Sequence, residues 1–347
     1  VEVVVQFSGP RQVDVVSTAP EPLPPGHVRV RTQFSGISAG TELTAYRGTN
    51  PYLTRVWDPD TRLFTDGGGG VEYPVAGWGY SEVGEVVEVA PDVADPVVGD
   101  LVWGIWGHRS QAVLPAERLA GHQVPDGVTP LAASFTRVGA VALNAVLAAD
   151  VHLGETVAIF GQGVIGLLAT RLATLNGGSV IAVDTIATRR KAAEWYGAVA
   201  ALPAARAAEE IRERTGGDGA DVAIEISGAH PALHQAIRSV TVAGRVVAAG
   251  FYQGDGMGLR LGEEFHHNRV ELVCSQIGGV PPRLAPRWSQ DRLQRVFLSQ
   301  LAAGAVAVGS LVSHVIPAER AAEAYELLDT RPADALQVVL EFRTEST

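Results

Sequence analysis

The chain has 347 residues, enough for two domains, each with a core of its own. Its formal net charge of −11 and the absence of a basic run argue against nucleic acid or an anionic membrane as a partner, and no apolar segment reaches the ~18 residues a membrane span needs. Cys274 is the single cysteine, which excludes internal disulfides and any zinc site built from several thiolates, and the single lysine, Lys191, argues against Schiff-base chemistry.

The opening VEVVVQF reads as a strand and not as a basic-then-apolar signal, so a cytoplasmic protein acting on a small molecule is expected. Residues 1–137 are mostly β in pattern. Positions 28–32 alternate, 84–90 form a strand closed by Pro91-Asp92, and 98–102 lead into another. Residues 58–72 read as a polar loop ending in four glycines. From 138 to 276 strands and helices alternate, the signature of a parallel sheet with helices on both faces. Residues 277–347 return to a mixed pattern. They hold amphipathic helices at 290–303 and 318–328 and a closing strand at 337–342, and they are expected to pack back on the β-rich part.

The stretch 155–184 carries the most information. A strand-like run, Thr156 to Phe160, is followed at once by Gly161, Gly163 and Gly166 in GxGxxG spacing, then by a helical pattern and a second apolar run ending at Asp184. Gly161 allows the tight turn, Gly163 lets the backbone approach a pyrophosphate, and Gly166 lets the helix sit close to the strand. With Val164 and Ile165 they place a helix N-terminus where unpaired N–H groups meet that pyrophosphate. Asp184 can accept hydrogen bonds from both ribose hydroxyls and repels a 2′-phosphate, so NAD(H) is favoured. Arg189 and Arg190 follow closely. They could grip a 2′-phosphate, which keeps NADP(H) open, or form the solvated face of the next helix. The later strands of this half end at Ser227-Gly228, Gly250-Phe251 and Ser275, which are expected to line the ligand-binding rim.

In order and spacing these segments resemble the medium-chain dehydrogenase/reductase superfamily over nearly the whole chain. The carriers are residues 35–43 (SGISAGTEL) with Tyr46-Arg47-Gly48, Gly79-Tyr80-Ser81 with Gly84, Val98-Gly99-Asp100, the glycine fingerprint, 221–228 and 244–250. The resemblance implies an α/β fold: a doubly wound Rossmann sheet (138–276) plus a GroES-like β-rich catalytic domain (1–137 and 277–347), with the active site in the cleft between them. It also implies a homodimer.

The departures from the zinc-dependent members are specific. Their cysteine near position 38 is Ser38 here (Ala39 if an insertion is placed earlier), their Gly-His-Glu is Gly79-Tyr80-Ser81, and their third ligand falls at about Thr136. Hydroxyls do not replace thiolate and imidazole on zinc, so no metal is expected. The variants look like the zinc-independent branch that includes bacteriochlorophyllide, cyclitol and sugar dehydrogenases. The resemblance implies Tyr80, at the lost histidine, as acid/base; Thr41, at the family's relay hydroxyl; and His108, on a loop near the cleft, as a further proton-transfer candidate. For each a structural role stands beside the catalytic one. The implied activity interconverts a secondary alcohol and a ketone, on a sugar or cyclitol-like ring. Enoyl or quinone reduction and a non-catalytic dinucleotide-binding protein are the alternatives.

Overall fold

The computed structural model describes residues 2–67 and 69–342. They fall into two compact units. One is Val138–Val306, and the other joins the residues up to Arg137 with those from Ala307 onward. Among the described residues no helix is long and apolar enough to cross a membrane.

The Val138–Val306 unit is built on six parallel strands in the spatial order Ala200–Leu202, Ser179–Val183, Thr156–Phe160, Ala220–Glu225, Val240–Ala248, Glu271–Cys274. Strand Thr156–Phe160 is β-former-rich and buried along nearly its whole length, as a strand covered on both faces must be. In register Phe160 pairs with Val183 and Glu225, Glu225 with Ala248, and Ala248 with Cys274. The carboxyl ends of these strands therefore share one rim, the place where such sheets bind ligands.

Helix Val164–Leu175 lies against the sheet through Leu167, Leu168 and Leu172, each side chain contributing roughly 1.5–3 kcal/mol of burial. It ends where Gly177 takes φ +93°, a backbone conformation that costs glycine little.

Two expectations need correction. Residues 277–306 pack in this unit and not with the β-rich one. The apolar face of helix Gln290–Ala302 finds its partner here. The Phe297 ring rests on Gly139 of helix Thr136–Ala149, where a Cβ would come within 2.3 Å of it. Asn144 Nδ2 donates to the Gly279 carbonyl at 3.0 Å, and Arg171 Nε to that of Ala305 at 2.8 Å. The polar loop expected over 58–72 is in part a hairpin, Arg55–Asp58 paired with Leu63–Asp66. Trp57 and Phe64 hold it together, with ring centroids 5.2 Å apart.

The β-rich unit has its main sheet in the order Val312–Pro317, Gln337–Glu341, His27–Gly36, Glu82–Val89, Leu101–Gly104, with Gln111–Pro115 also paired to His27–Gly36. A second core gathers Phe7, Tyr46 and Tyr325, the Tyr325 ring 5.0 Å from Phe7 and 5.6 Å from Tyr46. It anchors the short helix Glu42–Arg47 beneath helix Ala321–Thr330. Trp103 and Trp106 are core residues as well, Trp106 Nε1 donating to Thr32 Oγ1 at 2.9 Å.

Candidate functional site

The glycine-rich turn has the geometry its spacing predicts. Gly161 adopts φ +92°, and a Cβ there would lie 2.7 Å from the Ser227 Cβ. A Cβ on Gly166 would sit 1.8 Å from the Gly161 carbonyl oxygen, so helix and strand approach as only glycine permits. Gly163, the N-cap, is the open one. A Cβ there would meet nothing nearer than Arg189 Nη1 at 3.9 Å, and no side chain caps the helix that starts at Val164-Ile165. Unpaired N–H groups beside open space fit a dinucleotide pyrophosphate.

Asp184 is buried and does more than await a ribose. Its Oδ2 accepts from Gln162 N at 2.6 Å and its Oδ1 from Ile186 N at 2.7 Å, so it braces the glycine turn. Each oxygen keeps a further lone pair for a hydroxyl. Arg189 is half-buried and turned back toward Gly163, and Arg190 donates to the Asp184 carbonyl at 2.9 Å. Both stand half-buried on helix Ala187–Trp195.

Further along the rim, Glu225 is a residue the sequence reading passed over. Its buried carboxylate accepts from Ser227 N at 2.8 Å and Gly228 N at 3.2 Å, and from the hydroxyls of Ser227 and Tyr252. Its carbonyl accepts from Ala249 N at 2.8 Å and Gly250 N at 3.1 Å. Burial pushes the Glu225 carboxyl up, and its hydroxyl and amide donors act the other way. One acid thus ties Ser227-Gly228 to Gly250-Phe251. The available signal was a glutamate closing an apolar strand. Phe251 and Ser227 are exposed at this rim, whereas Ser275 is buried, its hydroxyl without a hydrogen-bond partner.

In the β-rich unit the hydroxyls of Ser38 and Tyr80 hydrogen-bond to each other. Thr41 follows on the same loop, and its backbone N–H points to Ser38 Oγ at 3.4 Å. Burial raises the Tyr80 phenol above its ordinary value; hydrogen bonds from Ser38 and Thr41 pull it down, the Glu42 carboxylate adds to the rise, and the Arg137 guanidinium opposes it. Tyr80 is therefore a neutral donor near neutrality, flanked by two hydroxyls.

His108 stands elsewhere. It is 1% exposed, with Nε2 donating to Glu42 Oε2 at 2.7 Å and Nδ1 2.6 Å from Ser35 Oγ. The Ser35 hydroxyl also lies 2.9 Å from Glu82 Oε1, so Glu42, Ser35 and Glu82 form one buried hydrogen-bonded network around the ring. Burial works against a charge on the ring, but Glu42, by charge and hydrogen bond, and Glu82 outweigh it and raise the His108 pKa. With both nitrogens engaged in the interior, His108 is not placed to touch a substrate. Glu42 Oε1 also accepts from Ser38 N at 2.8 Å, so the buried network holds the Ser38–Thr41 loop from behind.

The donor set at the family's metal position does not suit zinc. Ser38 and Tyr80 offer hydroxyls, and the Thr136 hydroxyl is spent on the Ala133 carbonyl at 2.6 Å. Among the described residues no group of three or more His, Cys, Asp or Glu could hold a metal ion.

Known proteins give this geometry its lineage. The family model for zinc-binding dehydrogenases matches residues 164–288. The D-guloside 3-dehydrogenase of Escherichia coli is 29% identical over 345 residues, covering 96% of this chain and 98% of that one. The (R,R)-butanediol dehydrogenase of Bacillus subtilis is 30% identical over 284 residues, covering 74% and 77%. The crystal structure of 2R,3R-butanediol dehydrogenase from Bacillus subtilis superimposes with a TM-score of 0.80 at 23% identity, over 99% of this chain and 100% of that one. Matching sequence, sheet order and glycine turn together place the chain in the medium-chain dehydrogenase/reductase superfamily, among the zinc-binding dehydrogenase family, as an NAD(P)-dependent alcohol dehydrogenase.

Proposed function

We propose that this enzyme is a zinc-independent, NAD(H)-preferring dehydrogenase that interconverts a secondary alcohol on a sugar or cyclitol-like ring and the corresponding ketone. The observation that carries the reading is the Ser38–Tyr80 hydroxyl pair, at the position where zinc-dependent relatives hold their metal. Similarity to the D-guloside 3-dehydrogenase over nearly both whole chains supports a sugar-like substrate. Asp184 supports the NAD(H) preference. The outermost strand, Glu271–Cys274, exposes Leu272 at the sheet edge, which supports pairing with a second copy in a homodimer.

The dinucleotide, when bound, supplies or accepts the hydride. The chain's own residues manage the proton. In reduction the Tyr80 O–H bond breaks as the substrate O–H bond forms, and the electron pair of the broken bond stays on the phenol oxygen. Ser38 and Thr41 then donate to that oxygen. The raised pKa of Tyr80 keeps its proton available for this step.

The test is Tyr80→Phe, assayed on a panel of D-gulosides, cyclitols and vicinal diols. We expect kcat to fall about 100-fold or more, with NADH affinity within a factor of about three. A fully active Tyr80→Phe enzyme sinks the assignment. Stoichiometric zinc in active, chelator-sensitive enzyme sinks the metal-free reading.

A further inference from the structure

We propose that Glu42 is a positioning residue for the proton transfer: its buried carboxylate, gripped from behind by His108 and Tyr325, fixes Ser38 so that the serine hydroxyl meets the Tyr80 oxygen. The inference rests on the reading of Tyr80 as proton donor.

Ser38 and Tyr80 lie on separate segments that must be brought into register. Their neighbours are tied: Gly36 N donates to the Ser81 carbonyl at 2.9 Å, and Ile37 N to that of Val338 at 3.0 Å. Ser38 stands beyond the end of strand His27–Gly36, and both its peptide groups go to one residue. Its N–H donates to Glu42 Oε1 at 2.8 Å, and its carbonyl accepts from Glu42 N at 3.0 Å. The Ser38 backbone is thereby closed into a ring with Glu42, and its hydroxyl bonds that of Tyr80.

Reciprocal bonds of this kind also start helices, and Glu42 opens helix Glu42–Arg47. A start signal asks only for Oε1. Here Oε2 is held as well, from two other elements. His108 Nε2 reaches it at 2.7 Å from the loop after strand Leu101–Gly104, and the Tyr325 hydroxyl donates to it at 2.6 Å from helix Ala321–Thr330. Glu42, His108 and Tyr325 are all buried. Burying a carboxylate is costly, and a solvated one would start the helix equally well. What burial adds is a single orientation. A glutamate side chain in water samples several rotamers, whereas two donors on Oε2 inside the core leave Oε1 turned to Ser38.

The proton balance shows why that placement matters. In reduction the Tyr80 O–H bond breaks as the substrate O–H bond forms, and the electron pair stays on the phenol oxygen. A Ser38 hydroxyl donating to that oxygen stabilises the charge only if it is already in place. Glu42 exchanges no proton in this step and acts through Ser38 alone.

The test compares Glu42→Gln, Tyr325→Phe and Ser38→Ala, each alone, with Glu42→Gln/Ser38→Ala, Tyr325→Phe/Ser38→Ala and Tyr80→Phe, in the intact enzyme. Turnover is followed as NADH formation on whichever of the D-gulosides, cyclitols and vicinal diols the wild type oxidises fastest, NADH affinity by fluorescence, and Tm by calorimetry. Glutamine has one side-chain oxygen for three donors. Two of these converge on the Oε2 side, so its N–H₂ turns to the Ser38 N–H and that bond is lost. We expect Glu42→Gln to lower kcat about 10-fold or more, with KM and NADH affinity changed less than about threefold. Tyr325→Phe removes one hydroxyl and keeps the ring, so it tests the grip even if Glu42→Gln fails to fold; kcat should fall about fivefold. Ser38→Ala should lower kcat about 10-fold by itself. In that background neither second substitution should cost more than about a further twofold, since the group they position is gone. A carboxylate serving only the fold would lower Tm and cost the same factor of kcat in both backgrounds, which overturns the proposal. Unchanged kcat in Tyr325→Phe, in Ser38→Ala or in folded Glu42→Gln also overturns it. If Tyr80→Phe is fully active, or no member of the panel is oxidised, the reading beneath has failed and this proposal falls with it. If Tyr80→Phe is impaired while Glu42→Gln and Tyr325→Phe are not, this proposal alone fails.

Discussion

Alanine at Gly163 and at Gly166 should separate binding from folding within one turn of chain. Gly163 has φ −72° and ψ −170°, extended backbone that alanine adopts without strain. Its added Cβ would meet only Arg189 Nη1, at 3.9 Å. Gly163→Ala should therefore leave stability unchanged, or raise it by about 0.4–1 kcal/mol through the unfolded chain. The same methyl stands in the space the pyrophosphate must enter. Overpacking of about 1–3 kcal/mol converts to a loss of roughly 5- to 150-fold in NADH affinity. At Gly166 the Cβ would lie 1.8 Å from the Gly161 carbonyl oxygen and 2.8 Å from its carbon, backbone atoms that cannot rotate away. The helix must shift off the strand, so Gly166→Ala should cost more than about 3 kcal/mol. Calorimetry gives the Tm of each variant, and fluorescence titration the affinity for NADH. The reasoning is refuted if Gly163→Ala binds NADH as tightly as the wild type, or if Gly166→Ala melts with it.

His108→Gln leaves the buried Glu42 without its cation and should destabilise the fold by about 3–5 kcal/mol near pH 6. Because the folded-state pKa of His108 is raised, its contribution is complete below the unfolded value of about 6.5 and is lost as pH rises through the folded one. Urea unfolding should thus show the gap to wild type narrowing toward alkaline pH, and a pH-independent gap contradicts this. Glu225→Gln turns an amide N–H₂ toward groups that now donate to a carboxylate, and should cost about 1.5–3 kcal/mol with weaker NADH binding. Equal Tm and affinity would show that the rim does not depend on Glu225. Asp184→Asn removes the charge that repels a 2′-phosphate, so the ratio of NADH to NADPH affinity should fall by about tenfold; an unchanged ratio assigns the preference to other residues.

What the sequence revealed follows from how local each constraint is. Gly161, Gly163 and Gly166 were readable because one strand, one turn and one helix fix their duties. Helix Gln290–Ala302 was readable as a helix but not in its placement, since an apolar stripe does not name its partner; that partner is set by Gly139, far away in sequence. The hairpin around 59–62 was hidden because its left-handed position is filled by Arg62, at φ +55°, and not by glycine or asparagine. His108 invited a catalytic reading because nothing near it in sequence announces Glu42 and Glu82, which reach it from separate elements. Glu225 stayed silent for the same reason: its meaning lies in Tyr252, on another loop.

The stitching at Glu225 bears on how such a protein can change over time. Four of the six hydrogen bonds it collects come from peptide nitrogens at Ser227, Gly228, Ala249 and Gly250, donors that every residue except proline supplies. The contour of the nucleotide shelf is thereby drawn in main chain. The exposed side chain of its neighbour Phe251 takes no part in these six bonds. A lineage built this way can lose most of its sequence likeness while the shelf keeps its outline.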